Sequence, residues 1–196
     1  MTSADELSLL KKLIESIHPL PNDEWDYFAA LWKPFKASRK EILTTPGEHE
    51  RYLYFVLEGV QRVYYFDQQQ REATLVFTYF PSFGGVLDSM MLQQPSRYYF
   101  ETLTSSAFIR APFKDLMSLT KTCPSIETMI NKGLSQTLSG IFERLVELQC
   151  YSSEDKFRTL VRRSPHILQL VPHKYLANYL GIDATNFSKL INKIKI

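Results

Sequence analysis

Near its C-terminus the chain gathers polar side chains of the kind that touch other molecules. In "DATNFSKLINKI", Asp183 to Ile194, the residues Thr185, Ser188, Lys189 and Asn192 stand at i, i+3, i+4 and i+7, along one face of a helix. Phe187, Leu190, Ile191 and Ile194 recur on the other face and are expected to be buried. Hydroxyls, an amide and an ammonium group can exchange hydrogen bonds with base edges and phosphates, and a helix fits the DNA major groove. Asn186 joins the ridge, and Lys193 and Lys195 are placed to meet phosphates, which position a helix without specifying sequence. No Arg lies on the ridge, so base preference would rest on Asn186, Asn192 and Lys189, or on DNA shape. A plain packing element would show the same apolar face.

No other chemistry is spelled out with comparable spacing. His18, His49, His166 and His173 are scattered, with no H-x-H or H-x-x-x-H pair to hold a metal. The chain lacks G-x-S-x-G and any phosphate-cradling glycine loop followed by Lys. An enzyme is therefore not expected, nor a resident metal or cofactor. Cys123 and Cys150 form no metal or redox spacing and suit a reducing cytoplasm. No apolar run nears the roughly 20 residues that cross a bilayer, and the N-terminus does not read as a signal peptide. No membrane partner is expected.

The reading helix needs elements to hold it. Before it, "HKYLANYL" should form a helix started by Pro172 and stopped by Gly181, with Ile182 plugging the turn and Asp183 capping the second helix. Together these describe a helix-turn-helix. Charge agrees: from Tyr151 onward there are eight of the 23 Lys/Arg but three of the 21 Asp/Glu, so a chain of net charge +2 carries its excess at this end. "SSEDKFRTLVRRSP" reads as a helix starting at Ser152 or Ser153, and "HILQLVP" as a short strand.

Further upstream, a long helix is expected from Pro124. Leu134, Leu138, Ile141, Leu145 and Leu148 are spaced 4, 3, 4 and 3, the seam of a coiled coil, which predicts a homodimer. A helix lying on its own β-domain would need a similar stripe. Gly133 and Gly140 allow a partner backbone to come close. From Lys40 to Pro112, short aromatic and β-branched runs ("RYLYFVLE", "VQRVYYF", "EATLVFTYF") alternate with turn residues, as in an antiparallel β-domain. Two helices should precede it, one with Ser3 and Glu6 as a capping box, one capped by Asn22.

This order resembles the cyclic-AMP receptor protein/Fnr (Crp/Fnr) family of bacterial transcription regulators. "YLYFVLEGVQRVYYFD" is similar to the hairpin of that family's β-roll, and "FTYFPSFGGVLDSMMLQQPSRYYFETLTSSAFI" to its phosphate-binding cassette. "VPHKYLANYLGIDATNFSKLINKI" resembles its DNA-binding motif. The resemblance implies an α+β fold: a cyclic-nucleotide-binding-like β-roll (jelly roll) sensor domain with flanking helices over 1–122, a long dimerisation helix over 123–151, and a winged helix-turn-helix over 152–196. It implies double-stranded DNA as partner, read at an inverted-repeat operator, with contacts from Thr185, Ser188 and Lys189.

The cassette departs from the family pattern. Gly85 is followed by Val86 and Leu87, with no Glu to hold a ribose, and the Arg-Ser pair for a cyclic phosphate stands reversed as Ser96-Arg97. Ile141 and Phe142 fall where hydroxyls would face the ligand. A buried anion needs a charge partner and a ribose needs hydrogen bonds. Cyclic AMP is therefore not the expected effector. Gly85, Ser96 and Arg97 remain candidates for an unknown small molecule, although a lone Arg97 on a strand tends to face solvent. Two cysteines cannot ligate an iron–sulfur cluster within one chain. The rival reading is a ligand-binding or protein-interaction dimer of the same fold that does not bind DNA.

Overall fold

The computed structural model describes residues 2–193; Ile194 and Lys195, assigned to the apolar face and to phosphate contact, lie outside them. Helix α1 (Ala4–Ile17) opens on the expected capping box, Ser3 accepting from the Glu6 amide while the Glu6 carboxylate accepts from the Ser3 amide. Helix α2 (Asn22–Ala30) begins one residue earlier than a cap at Asn22 would allow: Pro21 holds the cap position and Asn22 is already helical. Among the described residues eight strands follow, in two antiparallel sheets. One runs β1 (Lys33–Ala37), β8 (Ser106–Pro112), β3 (Tyr52–Glu58), β6 (Phe83–Gly84). The other runs β2 (Ile42–Thr44), β7 (Tyr99–Thr102), β4 (Val60–Phe66), β5 (Glu72–Tyr79). Helix α3 (Leu87–Leu92) interrupts the strands, and α4 (Phe113–Leu119) leads to the long α5 (Pro124–Cys150).

Alternation along the strands divides the apolar residues between two cores. Tyr54, Val56, Val63, Phe100 and Phe108 come from both sheets and pack between them. Phe55, Ile109 and Ala111 point the other way, against Leu10, Ile14, Phe28 and Leu116 of the flanking helices and Trp32 between α2 and β1. Helix α5 is anchored here by Ile126 and Met129 and by an acid distant in sequence: Glu24 accepts from the Ser125 and Ile126 amides at 3.1 and 3.2 Å. A carboxylate at a helix N-terminus satisfies orphan amides and complements the dipole.

Two compact units emerge, Met1–Val63 with Phe77–Gln136, and Tyr64–Val76 with Thr137–Ile196. Their division falls inside the β4–β5 hairpin and inside α5. In the second unit α5 is followed by α6 (Ser153–Arg163), α7 (Ile167–Leu170), α8 (His173–Leu180) and α9 (Ala184–Lys193). Ser152 caps α6 by accepting from the Asp155 amide. The strand expected in "HILQLVP" is instead the single-turn helix α7. Ile167 and Val171, four apart, are buried together, a helical spacing that so short a run does not distinguish from a strand. Among the described residues no strand follows β8.

Candidate nucleic-acid interface

The turn between α8 and α9 is built by backbone geometry. Gly181 takes the left-handed conformation (φ +65°) that ends α8, and its amide and that of Ile182 return to carbonyls of the last turn. Ile182 is buried beneath the turn. Asp183 then accepts from the Asn186 amide at 2.9 Å, capping α9 as its sequence position suggested. Phe187 and Leu190 are buried, Phe187 meeting Phe157 of α6 edge-on at 5.5 Å, while Ile191 is half-buried.

With that face turned in, the ridge turns out. Thr185, Ser188, Lys189, Asn192 and Lys193 are exposed, and Asn186 is half-buried. They are not equally free. Ser188 donates its hydroxyl to the Ala184 carbonyl one turn back, and Lys193 is paired with Glu154 at 2.8 Å. Hydrogen bonding from Lys193 first, then from Arg158, holds the Glu154 carboxyl below the usual range. Lys193 would have to leave Glu154 to reach a phosphate. Such exposed pairs are weak, so the exchange costs little.

Two braces hold this helix pair within the second unit, and neither was visible in the sequence. Asn178 on α8 grips the backbone of the β4–β5 hairpin: its Oδ1 accepts from the Thr74 amide and its Nδ2 donates to the Glu72 carbonyl, both at 2.6 Å. The partners are more than 100 residues away, so no local pattern announces them. The other brace comes from α5. The Arg144 guanidinium lies 4.0 Å from the centre of the Tyr179 ring and donates to the Tyr179 carbonyl, at the C-terminal end of α8. Glu147, buried, accepts from Arg144 at 3.1 Å and from Arg163 of α6. Leu148 reaches the turn itself: its Cδ2 would sit 3.8 Å from a Cβ placed on Gly181.

The expected dimer seam lies along α5. Leu138, Ile141, Leu145 and Leu148 are exposed, 41–57%, and Leu134 is half-buried. Phe142 and Val146, which the seam assignment omitted, are exposed beside them. A contiguous apolar stripe of this kind marks an interaction surface.

The cassette residues sit in the first unit and spend their polar groups internally. Ser96 is buried, its hydroxyl donating to the Tyr98 carbonyl and accepting from the Tyr98 amide. Arg97 is exposed, lying against the Tyr98 ring and donating to its hydroxyl at 3.2 Å. Gly85 (φ +118°) leaves little room for a side chain: a Cβ would meet Met90 Cε at 3.0 Å and the Tyr52 carbonyl at 3.1 Å. Glu50, unremarked in the sequence, is the centre of this region. It is buried and accepts from Thr44 at 2.6 Å, from the Arg51 and Tyr52 amides, and from the Val86 amide at 3.4 Å. Burial pushes its carboxyl above the usual range, against the pull of those hydrogen bonds. The polar groups of Ser96 and Arg97 are thus both engaged by Tyr98.

No family model and no curated protein matches the sequence. Solved structures do. FixK2 from Bradyrhizobium japonicum superposes with a TM-score of 0.73 at 14% identity, covering 83% of each chain. CLP, a c-di-GMP-responsive global regulator from Xanthomonas campestris, gives 0.64 at 18% identity over 88% of this chain and 91% of that one. A Eubacterium rectale protein described as a Crp/Fnr transcriptional regulator gives 0.68 at 14% identity over 89% and 83%. Among the described residues no helix is long and apolar enough to cross a membrane. With its two antiparallel sheets, long helix and C-terminal helix pair, the chain has the fold of the Crp/Fnr regulators.

Proposed function

We propose that the chain is a homodimeric, cytoplasmic DNA-binding transcription regulator of the Crp/Fnr type that does not respond to cyclic AMP. The observation that carries this reading is the sided build of α9: Phe187 and Leu190 inside, Thr185, Ser188, Lys189 and Asn192 outside. A helix whose polar ridge is exposed and whose entry is fixed by a tight turn is shaped for the major groove. Asn186, Asn192 and Lys189 supply base-edge donors and acceptors; Lys193 supplies a phosphate contact once released from Glu154.

The occupant of the α5 stripe is a second copy of the chain. A twofold axis sets the same residues of both copies against each other, so one stripe serves both sides. Residues 1–122 then act as sensor, 123–151 as dimerisation helix and 152–196 as reading head. Two reading heads related by a twofold axis require an inverted repeat with half-sites about 34 Å apart. Chemistry disfavours cyclic AMP: Val86 and Leu87 offer a ribose no hydrogen bond, Arg97 points to solvent, and the Val86 amide is given to Glu50. CLP, of the same fold, is described as responding to a different nucleotide. In vitro selection of duplexes by the full chain tests the reading. Inverted repeats one turn apart are expected; recovery of no enriched sequence would favour the dimer that does not bind DNA.

A further inference from the structure

An apolar stripe decides that two chains meet, but it does not by itself decide where their reading helices end up. That depends on how firmly each head is fixed to its own α5. Arg144 and Glu147, three residues apart, lie side by side on the flank of the stripe, next to Leu145 and Leu148. From there they reach the head by several routes. The Arg144 guanidinium is stacked on Tyr179 and donates to that residue's carbonyl, closing the end of α8. Glu147 joins Arg144 to Arg163, so that α5 and α6 share one buried carboxylate, and Arg144 ties α8 to the same pair. Glu143 approaches the same Arg163 at 3.8 Å.

A buried carboxylate held by two guanidinium groups has little freedom to shift. Losing one partner leaves charge uncompensated, and a planar guanidinium fixes direction as well as distance. None of these groups lies on the DNA-facing ridge of α9. We propose that Arg144 is a positioning residue that sets the half-site spacing the dimer accepts, by locking α8 to α5. The proposal rests on the DNA-binding reading of α9.

Its physical consequence is specific. Two reading heads held rigidly gain avidity only on duplexes whose half-sites match their separation. Loosening the lock leaves each head able to recognise its half-site and removes the penalty for a mismatched spacer. Sequence preference and spacing preference should therefore come apart.

The experiment uses the full chain and a library in which the half-site recovered by selection is held constant while the spacer varies base pair by base pair. The wild-type chain is expected to favour one spacing over its neighbours by about a hundredfold. Arg144→Ala is expected to reduce that preference to under about tenfold, with the half-site sequence recovered from random libraries unchanged. Should Arg144→Ala not fold, Arg144→Lys is read instead; it keeps the charge beside Glu147 but loses the planar stack on Tyr179, and the same broadening is expected. A wild-type spacing profile in whichever folded variant is read would overturn the proposal, as would loss of half-site sequence preference alongside spacing. If the wild-type chain itself selects no duplex, the DNA-binding reading has failed rather than the role of Arg144.

Discussion

The cassette and the terminal helix pair are both built from polar residues that a sequence comparison marks as sites, and they use them in opposite ways. In the cassette Ser96 bonds its own turn, Glu50 collects Thr44 and three amides, and Gly85 is pressed against Tyr52. On α9 the backbone is satisfied by Asp183 and the helix, leaving Thr185, Lys189 and Asn192 exposed. A polar residue is available to a partner only when its neighbours have not already used it. The same residue types therefore point to function in one region and to structure in the other.

This contrast can be broken most severely at the apolar residue beneath the ridge. Phe187 is fully buried against Phe157, and Phe187→Ala should cost about 3–5 kcal/mol, unfolding the head and abolishing DNA binding. Thermal melting and duplex binding read the two effects; a variant that melts like the wild type would show that the ridge does not depend on this core. Leu145→Asp comes next. A charge at the centre of the stripe should dissociate the dimer, seen by light scattering, while each chain remains folded. A dimer that survives would remove the stripe as the contact between copies.

The smallest of these effects sharpens the cassette side. Burial raises the folded-state pKa of Glu50 above its unfolded value, so its ionisation opposes folding. Stability tied to this group is complete below the ordinary carboxylate pKa and declines as pH rises through the raised value. Glu50→Gln should flatten that decline in melting temperature measured between about pH 4 and about pH 7. Cyclic AMP added to the wild-type chain should not shift the melting temperature, because only a ligand that binds the folded state stabilises it. A pH profile unchanged by the substitution, or a clear shift with the nucleotide, would contradict the account of a cassette filled from within.

Local signals were the ones the sequence could carry. The capping box of Ser3 and Glu6, the Ser152 cap, the hairpin strands β3 and β4, and the Gly181 turn each depend on residues a few positions apart. Strand β1 escaped because "KPFKA" has neither alternation nor β-branched residues; pairing with β8, from Lys33 opposite Arg110 to Ala37 opposite Ser106, makes it a strand. Helix α3 escaped as six residues without a side-chain cap. The α7 segment was misjudged because four apolar residues between turn signals fit either period. At the site, the ridge was legible from its 3.6-residue repeat, whereas Glu50, Asn178 and Arg144 act through partners that only the fold brings near.

The central claim, that the exposed ridge of α9 meets DNA, is tested most directly by duplex affinity as salt is raised, for the wild-type chain and for Lys189→Ala. Each phosphate contact releases counterions, so affinity should fall linearly on a log–log plot with a slope of about −0.9 per contact. Lys189→Ala should weaken binding by about 1–3 kcal/mol with an unchanged melting temperature. Binding that is absent at low salt, or equal for the two proteins, would contradict the assignment of that face to DNA.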